Sequence, residues 1–346
     1  MTAPPKSPKP TLAAVAIAAN LSIPTVSKVL RGGTDVASST RERVVRIAEE
    51  LGYTRVGGPR ASARFESQSI GLIDLVISNV EGSWPSRVLS GVESAATAAD
   101  RDVVITVARH DRDWVGKLLR RPSAGAIVVL VGTTPAQLTA LHTGGVPVVL
   151  IDPQNHAPKK VASIGVTNWE GGRQAGEHLV GLGHTNIGVV GGTQSLLYSR
   201  ARLDGFRAAL SEKNVSLDPD LVLFADYNYE EARERALTLL DRPDRPTAVF
   251  AGSDIMALGV YEAATRLGLR IPHDLSVVGF DDVPEATWAT PGMTTVRQPI
   301  HEMGAAALRM LLRLDKQGNT SPTQSAPREE LATELVIRES SRRIDQ

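Results

Sequence analysis

Short apolar runs recur along most of this chain, and amphipathic stretches of helical period separate them. The apolar runs lie at residues 70–77, 103–107, 126–131, 146–151, 187–190, 221–224, 248–251 and 275–280. The amphipathic stretches include residues 88–99, 172–182, 201–210, 230–240 and 256–267. Strands of this kind alternating with helices predict parallel sheets in a doubly wound α/β body. Such sheets bind ligands at the carboxyl ends of their strands.

Length and composition narrow the class of protein further. The chain has 346 residues, and two sheets with a cleft between them suit residues 69–340. The longest apolar runs, such as 126–131, are too short to span a bilayer. Residues 1–10 combine Pro and Lys without an apolar segment, which predicts a disordered tail and not a secretory signal. The absence of cysteine excludes disulfides and thiolate metal sites, and it fits a cytoplasmic location.

Charge is distributed unevenly, although the chain is formally neutral. Residues 1–65 carry ten Lys or Arg and four Asp or Glu, a net charge of 10 − 4 = +6, so the remainder carries −6. A basic module on an acidic body is typical of a nucleic-acid-binding protein. The alternative is a basic, solvated helical surface, and charge alone supports both equally.

Three short helices are predicted in the basic segment. Thr11 is the predicted N-cap of a helix that reaches Asn20, and Ser22 is the predicted N-cap of a second helix with Pro24 in its first turn. A capping box at residues 39–42 predicts the start of a third helix. The apolar positions of that helix share one face, and Gly52 follows them: Val44, Ile47, Ala48 and Leu51.

Two short helices joined by a tight turn and braced by a third predict a helix-turn-helix domain at residues 11–56. The second helix begins with small polar and basic side chains, which suit base edges in the major groove. Three helices in this order also form ordinary small bundles. The excess of positive charge favours the DNA-binding alternative.

Several segments, in order and over about residues 11–339, resemble the LacI/GalR family of bacterial transcription regulators. In the first domain these are TLAAVA at 11–16, SIPTVSKVL at 22–30 and ELGY at 50–53. In the body they are GLGH at 181–184, RLDGF at 202–206, AGSDIMALG at 251–259, SVVGFDD at 276–282 and TTVRQP at 294–299. Each motif alone would be weak, but their shared order makes a chance match very improbable.

The resemblance implies a homodimeric repressor or activator on a pseudo-palindromic DNA operator, with a small-molecule effector between two lobes like those of periplasmic sugar-binding proteins. It implies an N-lobe at about 69–161 and 292–324 and a C-lobe at about 162–291 and 325–340. The predicted DNA contacts are Thr11, Ser22, Ile23, Pro24, Thr25, Ser27, Lys28, Arg31, Arg41 and Arg60. Ile23 and Pro24 stand at the two positions that usually specify base pairs, and both suit thymine methyl groups. Helix-start packing is the alternative role for these two residues.

The linker at residues 57–68 departs from the family pattern. Members with a hinge helix usually carry Ala-Arg-x-Leu, in which the leucine wedges into the minor groove. Here Arg60 takes the arginine position, but Ser62 takes the leucine position, and Gly57, Gly58 and Pro59 disfavour a helix. Either the hinge helix is absent or Phe65 supplies the wedge in a shifted register.

Four residues match family positions that line the effector cleft: Asp152, Arg202, Tyr227 and Asp281. Carboxylates and a guanidinium bind vicinal hydroxyls, and an aromatic ring stacks on a pyranose, so a sugar or oligosaccharide is the expected effector. Arg202 is expected at a helix start, and Asp254 is expected to cap a helix. Further candidates for the cleft are Asn79, Trp84, Arg200 and Trp288, and packing is the alternative role for each tryptophan.

Enzyme classes find little support in the sequence. The chain has no Walker A motif, no complete Gly-x-Gly-x-x-Gly and no Gly-x-Ser-x-Gly. The seven histidines form no His-x-x-x-His pair, so neither a metal site nor a cofactor is expected. The competing class is a sugar-binding receptor without gene regulation, which the basic N-terminal domain argues against.

Overall fold

A computed structural model describes residues 11–30, 36–51, 53, 71–109, 112–317 and 325–344. The predicted tail at 1–10, the linker at 57–68 with Arg60, Ser62 and Phe65, and also Arg31 and Gly52 lie outside the described residues. Within them, no single helix is long and apolar enough to cross a membrane. The first two helices pass that test only as a bent pair.

The basic segment forms the three predicted helices: α1 (Leu12–Ala19), α2 (Ile23–Val29) and α3 (Ser38–Glu50). The Thr11 side chain accepts a hydrogen bond from the N–H of Ala14, and the Ser22 side chain accepts one from the N–H of Thr25, as the predicted caps require. Asn20 ends α1 in the left-handed conformation, with φ 51°. The chain turns by 100° between α1 and α2, which is the geometry of a helix-turn-helix.

Two details of α3 differ from the prediction. The helix begins at Ser38, one residue before the expected capping residue Ser39. It ends at Glu50, so Leu51 falls beyond the last turn and is 41% exposed. Tyr53 is buried instead, and it completes the small apolar core of the module, which contains Val15, Ala16, Ala19, Val26, Val29, Val44 and Ala48.

The body contains two sheets, and all eight predicted strands are present. The first sheet consists of β1 (Leu72–Ile77), β2 (Asp102–Val107), β3 (Ala126–Val129), β4 (Val148–Ile151), β5 (Ala162–Val166) and β11 (Arg328–Leu331). Its order is β11-β5-β4-β3-β1-β2, and its strand pairs are parallel. Apolar cores lie on both faces, under α4 (Ser83–Ala98) and α12 (Ile300–Gln317) on one side and under α5 (Trp114–Arg120) and α6 (Pro135–Thr143) on the other. We call this sheet and its helices the N-lobe.

The second sheet has the same strand order as the first but differs in the direction of its edge strand. It consists of β6 (Ile187–Gly191), β7 (Val222–Phe224), β8 (Ala248–Ala251), β9 (Ser276–Asp281), β10 (Thr294–Arg297) and β12 (Glu334–Val336). Its order is β12-β10-β9-β8-β6-β7, in which the edge strand β12 is antiparallel to β10. Its helices are α7 (Asn168–Gly181), α8 (Leu197–Glu212), α9 (Tyr229–Leu240), α10 (Asp254–Arg266) and the short α11 (Pro284–Trp288). We call this unit the C-lobe.

The chain crosses between the lobes three times, at Thr167, at residues 298–299 and at residues 332–333. The first and third crossings lie side by side, because the N–H of Thr333 donates to Thr167 Oγ1 at 2.9 Å. Three strands therefore fall on the other side of the predicted lobe boundaries: β5 and β11 belong to the N-lobe, and β10 belongs to the C-lobe. The reason is pairing, since β5 bonds to β4 and β10 bonds to β9.

Candidate functional site

A cavity of about 400 Å³ lies between the two lobes. Part of its wall comes from residues at the ends of strands or within three residues beyond them: Asn79, Leu130 and Asp152 in the N-lobe, and Tyr227, Ser253 and Asp281 in the C-lobe. The carboxyl ends of both parallel sheets thus face one space, which is where ligands bind in doubly wound folds.

Four of these strand ends adopt the left-handed backbone region. The φ angles are 52° at Leu130, 44° at Asp152, 55° at Tyr227 and 121° at Asp281. A side chain with a Cβ atom rarely adopts such angles, and strain of this kind clusters at binding and catalytic sites. Four of the eight described non-glycine residues with positive φ thus line the cavity, which supports it as the candidate functional site.

Arg202 is the best-anchored side chain of the wall. Its Nε donates to Asn168 Oδ1 at 2.8 Å, and its NH1 donates to the Gly252 carbonyl at 2.6 Å. Asp281 Oδ1 lies 3.4 Å from NH1, and the guanidinium carbon lies 3.8 Å from the centre of the Phe280 ring. Arg202 is therefore held on several sides. The expected position at a helix start is wrong, because α8 begins five residues earlier, at Leu197.

Two buried carboxyl groups flank this guanidinium. Burial raises the pKa of Asp152 to about 7, against the favourable charge of Arg202. Burial also raises the pKa of Asp281 to about 6, while Arg202 and a hydrogen bond from Gln298 at 2.5 Å act in the opposite direction. Near neutral pH these carboxyls can therefore accept hydrogen bonds or, when protonated, donate them.

Aromatic side chains form another part of the wall. The ring centres of Tyr198 and Tyr227 are 5.7 Å apart, and burial raises the pKa of both hydroxyls. The Tyr227 hydroxyl is 2.5 Å from Ser199 Oγ, and Trp84 faces the cavity from the N-lobe. Rings beside fixed carboxylates and a guanidinium can bind a sugar through its C–H faces and hydroxyl groups.

Six of the eight residues predicted for the cleft line the cavity: Asn79, Trp84, Asp152, Arg202, Tyr227 and Asp281. The other two do not. Arg200 is exposed, because it is two residues from Arg202 on α8 and so points away from that side chain's face. Trp288 is the last residue of α11 and is 72% exposed, outside the cavity wall.

Several wall residues were missed from the sequence, among them Gln154, Tyr198, Ser253 and Glu285. A signal existed for Tyr198, since it precedes Arg202 by four residues and therefore shares its helical face. No comparable signal marks Glu285, which lies on the short helix α11.

The expectation that Asp254 caps a helix is wrong. Ser253 is the N-cap of α10, and its Oγ accepts from the N–H of Met256 at 3.4 Å. Asp254 is fully buried, and its carboxylate accepts from the N–H of Val283 at 2.9 Å and from Thr295 Oγ1 at 2.5 Å. It joins the start of α10 to the loop after β9 and to β10.

The predicted DNA-contact residues of α2 and its N-cap are mostly exposed. Ser22, Ile23, Pro24 and Lys28 are exposed, and Thr25 and Ser27 are half-buried. Arg41 donates from NH2 to the Val36 carbonyl at 3.0 Å, so part of its guanidinium is used within the module. Among the described residues, no group of three or more His, Asp or Glu side chains is placed to hold a metal ion.

Comparison with known proteins covers both parts of the chain. Residues 11–55 match "Bacterial regulatory proteins, lacI family", and residues 177–341 match "Periplasmic binding protein-like domain". Catabolite control protein A of Priestia megaterium is 31% identical over 307 residues, which span 86% of this chain and 90% of that protein.

Two solved structures resemble the whole chain. The transcriptional regulator CelR in complex with cellobiose has a TM-score of 0.76 and 30% identity, and the match covers 96% of this chain and 99% of CelR. The lac repressor dimer bound to operator and the anti-inducer ONPF has a TM-score of 0.71 and 27% identity, with coverage of 97% and 100%.

Proposed function

The chain belongs to the LacI family of bacterial regulatory proteins, and from that premise we propose that it is a transcriptional repressor controlled by a sugar. The effector, a sugar or oligosaccharide, binds between the N-lobe and the C-lobe and changes the affinity for a pseudo-palindromic operator. The observation that carries this proposal is the cavity at the strand ends, where Arg202 is fixed between Asp152 and Asp281 beside two tyrosines.

The DNA contacts are proposed on the exposed start of α2. Ile23 and Pro24 contact base edges, where apolar side chains suit thymine methyl groups, and Thr25, Ser27 and Lys28 complete the base and phosphate contacts. Thr11, Ser22, Arg31, Arg41 and Arg60 are proposed to contact the phosphate backbone and the operator centre. We propose residues 11–56 as the DNA-binding domain, 57–68 as the linker and 69–340 as the effector-binding body.

The coupling between the two sites is proposed to be a population shift. The effector favours one arrangement of the lobes, the paired N-lobes of a homodimer move relative to each other, and operator affinity changes. Linkage then requires operator DNA to change effector affinity by the same factor. This regulator is also proposed to act in the cytoplasm and to have no enzymatic activity.

The test is Arg202→Ala with Arg200→Ala as the matched control, because the two arginines lie two residues apart on α8 and only Arg202 lines the cavity. Arg202→Ala should weaken effector binding by about tenfold to a hundredfold, as expected when hydrogen bonds to a charged group are lost. It should leave operator binding in a gel-shift assay unchanged, and Arg200→Ala should alter neither property. A response of Arg202→Ala at wild-type effector concentrations would refute the cavity assignment.

The same gel shift separates the second candidate function, a sugar receptor without gene regulation. A repressor should bind one operator fragment in the presence of excess competitor DNA, at a stated salt concentration. If competitor DNA abolishes binding to every genomic fragment, the result would favour the receptor.

A further inference from the structure

Charge is divided as unevenly between the two lobes as it is along the chain. The C-lobe, counted over residues 167–299 and 332–346, carries 15 Lys or Arg and 21 Asp or Glu, a net charge of 15 − 21 = −6. The N-lobe, counted over residues 71–166 and 300–331, carries 13 Lys or Arg and 12 Asp or Glu, a net charge of 13 − 12 = +1. The acidic charge of the body therefore lies in the C-lobe, and the N-lobe has no net negative charge that would repel DNA.

Cations of the N-lobe collect at the edge of its sheet where the strands begin. The strands of this sheet are parallel, so the segments that precede them share one edge, and the cavity between the lobes lies at the opposite edge. Arg120 and Arg121 precede β3, Lys159 and Lys160 precede β5, and Arg328 begins β11. We call these five residues the basic edge.

The surroundings of the basic edge neutralise only part of its charge. Asp74 in β1 is fully buried and forms an ion pair with Arg121. Asp100 and Asp102 flank Arg101, just before and at the start of β2. With Arg101 included, six cations against these three acids leave a net charge of 6 − 3 = +3.

Arg120, Lys159 and Lys160 of the basic edge are exposed, and none of them forms an ion pair with another described residue. The C-lobe differs, because ten of its arginines form ion pairs with acids, as Arg270 does with Asp274 at 2.8 Å. Exposed cations that no acid of the chain neutralises are available to an anionic partner.

The segment that carries the two lysines is held in place by β11. The N–H of Ala326 donates to the Lys159 carbonyl at 2.8 Å, and Arg328 donates to the Ala157 carbonyl. In the sheet, β5 and β3 are two strand spacings apart, about 10 Å. That distance corresponds to about three phosphates along one DNA strand, so the basic edge matches the spacing of charges on a duplex.

The chain enters the N-lobe from the helix-turn-helix module at this same edge. The N–H of Asp102 donates to the Gly71 carbonyl at 2.8 Å, and the N–H of Ala124 donates to the Leu72 carbonyl at 2.9 Å, so the start of β1 lies between the segments that lead into β2 and β3. The 17 residues between Tyr53 and Gly71 can span at most about 60 Å. A duplex bound by the module is therefore joined to the body at the basic edge.

We infer that the basic edge of the N-lobe binds the phosphate backbone of the same DNA duplex that the module binds, through Arg120, Lys159 and Lys160. The inference rests on the proposed function, because it adds a second contact surface for that DNA. Phosphate contacts of this kind add affinity and fix orientation, but they carry no sequence information. The body would thus contribute to DNA affinity, and the module would read the sequence.

Fluorescence anisotropy of the full chain tests the inference with two labelled duplexes of about 50 base pairs, at several salt concentrations. One duplex is centred on the operator that the gel shift identifies, and the other has a mixed sequence. The double variant Lys159→Gln with Lys160→Gln should bind both duplexes roughly tenfold more weakly near 0.1 M salt. It should also reduce the slope of log affinity against log salt by about 2 per bound protomer, because two phosphate contacts are lost.

Two controls separate the position of the lysines from their charge. The double variant Arg200→Gln with Lys213→Gln removes two exposed cations from the C-lobe and should keep the wild-type affinity and slope. The double variant Lys159→Arg with Lys160→Arg keeps both charges at the basic edge and should also keep the wild-type slope. The inference is overturned if the glutamine variant of the basic edge keeps the wild-type slope, or if it loses no more affinity than the C-lobe variant.

The two proposals fail in different ways. Specific operator binding by the wild type, with an unchanged salt slope in the glutamine variant, would overturn the phosphate contact and leave the repressor function standing. If no genomic fragment is bound in the presence of competitor DNA, the proposed function fails. The mixed-sequence duplex still tests the basic edge in that case, because phosphate contacts do not depend on the operator sequence.

Discussion

Asp152 combines an unfavourable backbone conformation with a buried carboxyl group. It ends β4 with a left-handed backbone and a fully buried carboxyl group, and burial raises its pKa to about 7. Nearby Asp281 adds to that effect, while Arg202 only partly relieves it. A buried acid in this state stabilises neither the backbone nor the core, as expected of a residue with the proposed role in effector binding.

Asp152→Asn should therefore stabilise the effector-free protein in a pH-dependent way. Between pH 3.8 and about 7 the folded state holds the Asp152 proton more tightly than the unfolded chain, so rising pH reduces stability over that window. Relative to wild type, the variant should gain about 1–3 kcal/mol at pH 8, and this gain should shrink as the pH falls toward 4. Urea unfolding at several pH values measures it. The control is Asp315→Asn on the exposed surface of α12, which should show no such trend. If Asp152→Asn gains the same stability at all pH values, the raised pKa of Asp152 is not the cause of the gain.

At the scale of elements, the position of Arg202 depends on how closely α7 and α8 pack. A Cβ at Gly172 of α7 would overlap the carbonyl oxygen of Arg202, and a Cβ at Gly205 of α8 would overlap the carbonyl oxygen of Trp169. The two backbones are in direct contact at these glycines. That contact brings Asn168 of α7 within 2.8 Å of the Arg202 side chain.

Gly172→Ala should push α8 away from α7 and weaken both the fold and the site. Overpacking of this kind typically lowers stability by about 1–3 kcal/mol, and the displaced Arg202 should also reduce effector affinity. Thermal unfolding and calorimetry measure the two effects. The control is Gly181→Ala in the same helix, where an added Cβ meets no atom within 4 Å. If both variants behave alike, the close contact is not what positions Arg202.

Sequence analysis missed four strands, β5, β10, β11 and β12, and the last three lack a run of buried apolar residues. β11 and β12 are edge strands with polar, partly exposed residues, so neither shows a buried apolar run. β10 begins with Thr294 and Thr295, which are fully buried. Their hydroxyls bond to distant groups, such as the Asp254 carboxylate at 2.5 Å from Thr295. A strand whose burial depends on such partners has no local signature.

At the scale of the whole molecule, hydrogen bonds join the lobes across the cavity. Arg87 of α4 donates to the Asp282 carbonyl at 2.9 Å, and the N–H of Leu197 donates to the Gln154 carbonyl at 3.2 Å. Asp282 is itself fixed in the C-lobe, because Arg297 and Arg338 bind its carboxylate at 2.7 and 2.6 Å. These contacts stabilise the observed arrangement of the lobes without help from an effector.

Arg87→Ala should shift the lobes toward an open arrangement. Arg87 does not line the cavity, so a change in effector affinity would come from closure and not from a lost ligand contact. Losing a bond worth about 1 kcal/mol should weaken effector binding about fivefold. It should also increase the radius of gyration of the effector-free protein in small-angle scattering. The control is Arg266→Ala, which removes a surface ion pair of α10. If Arg87→Ala keeps the wild-type effector affinity and radius of gyration, the contact between Arg87 and Asp282 does not govern closure.

The sequence by itself determined the first three helices and most of the strands. Caps such as Thr11 and Ser22 and the apolar period depend on residues close in the chain, so the helix-turn-helix and eight strands followed from them. The six predicted residues that line the cavity followed from the resemblance of the motifs to a known family. Only the tertiary structure decided which lobe β5, β10 and β11 join and that Glu285 meets Ser83, 202 residues away in the chain. Such pairings depend on contacts between distant segments, and no local pattern of side chains encodes them.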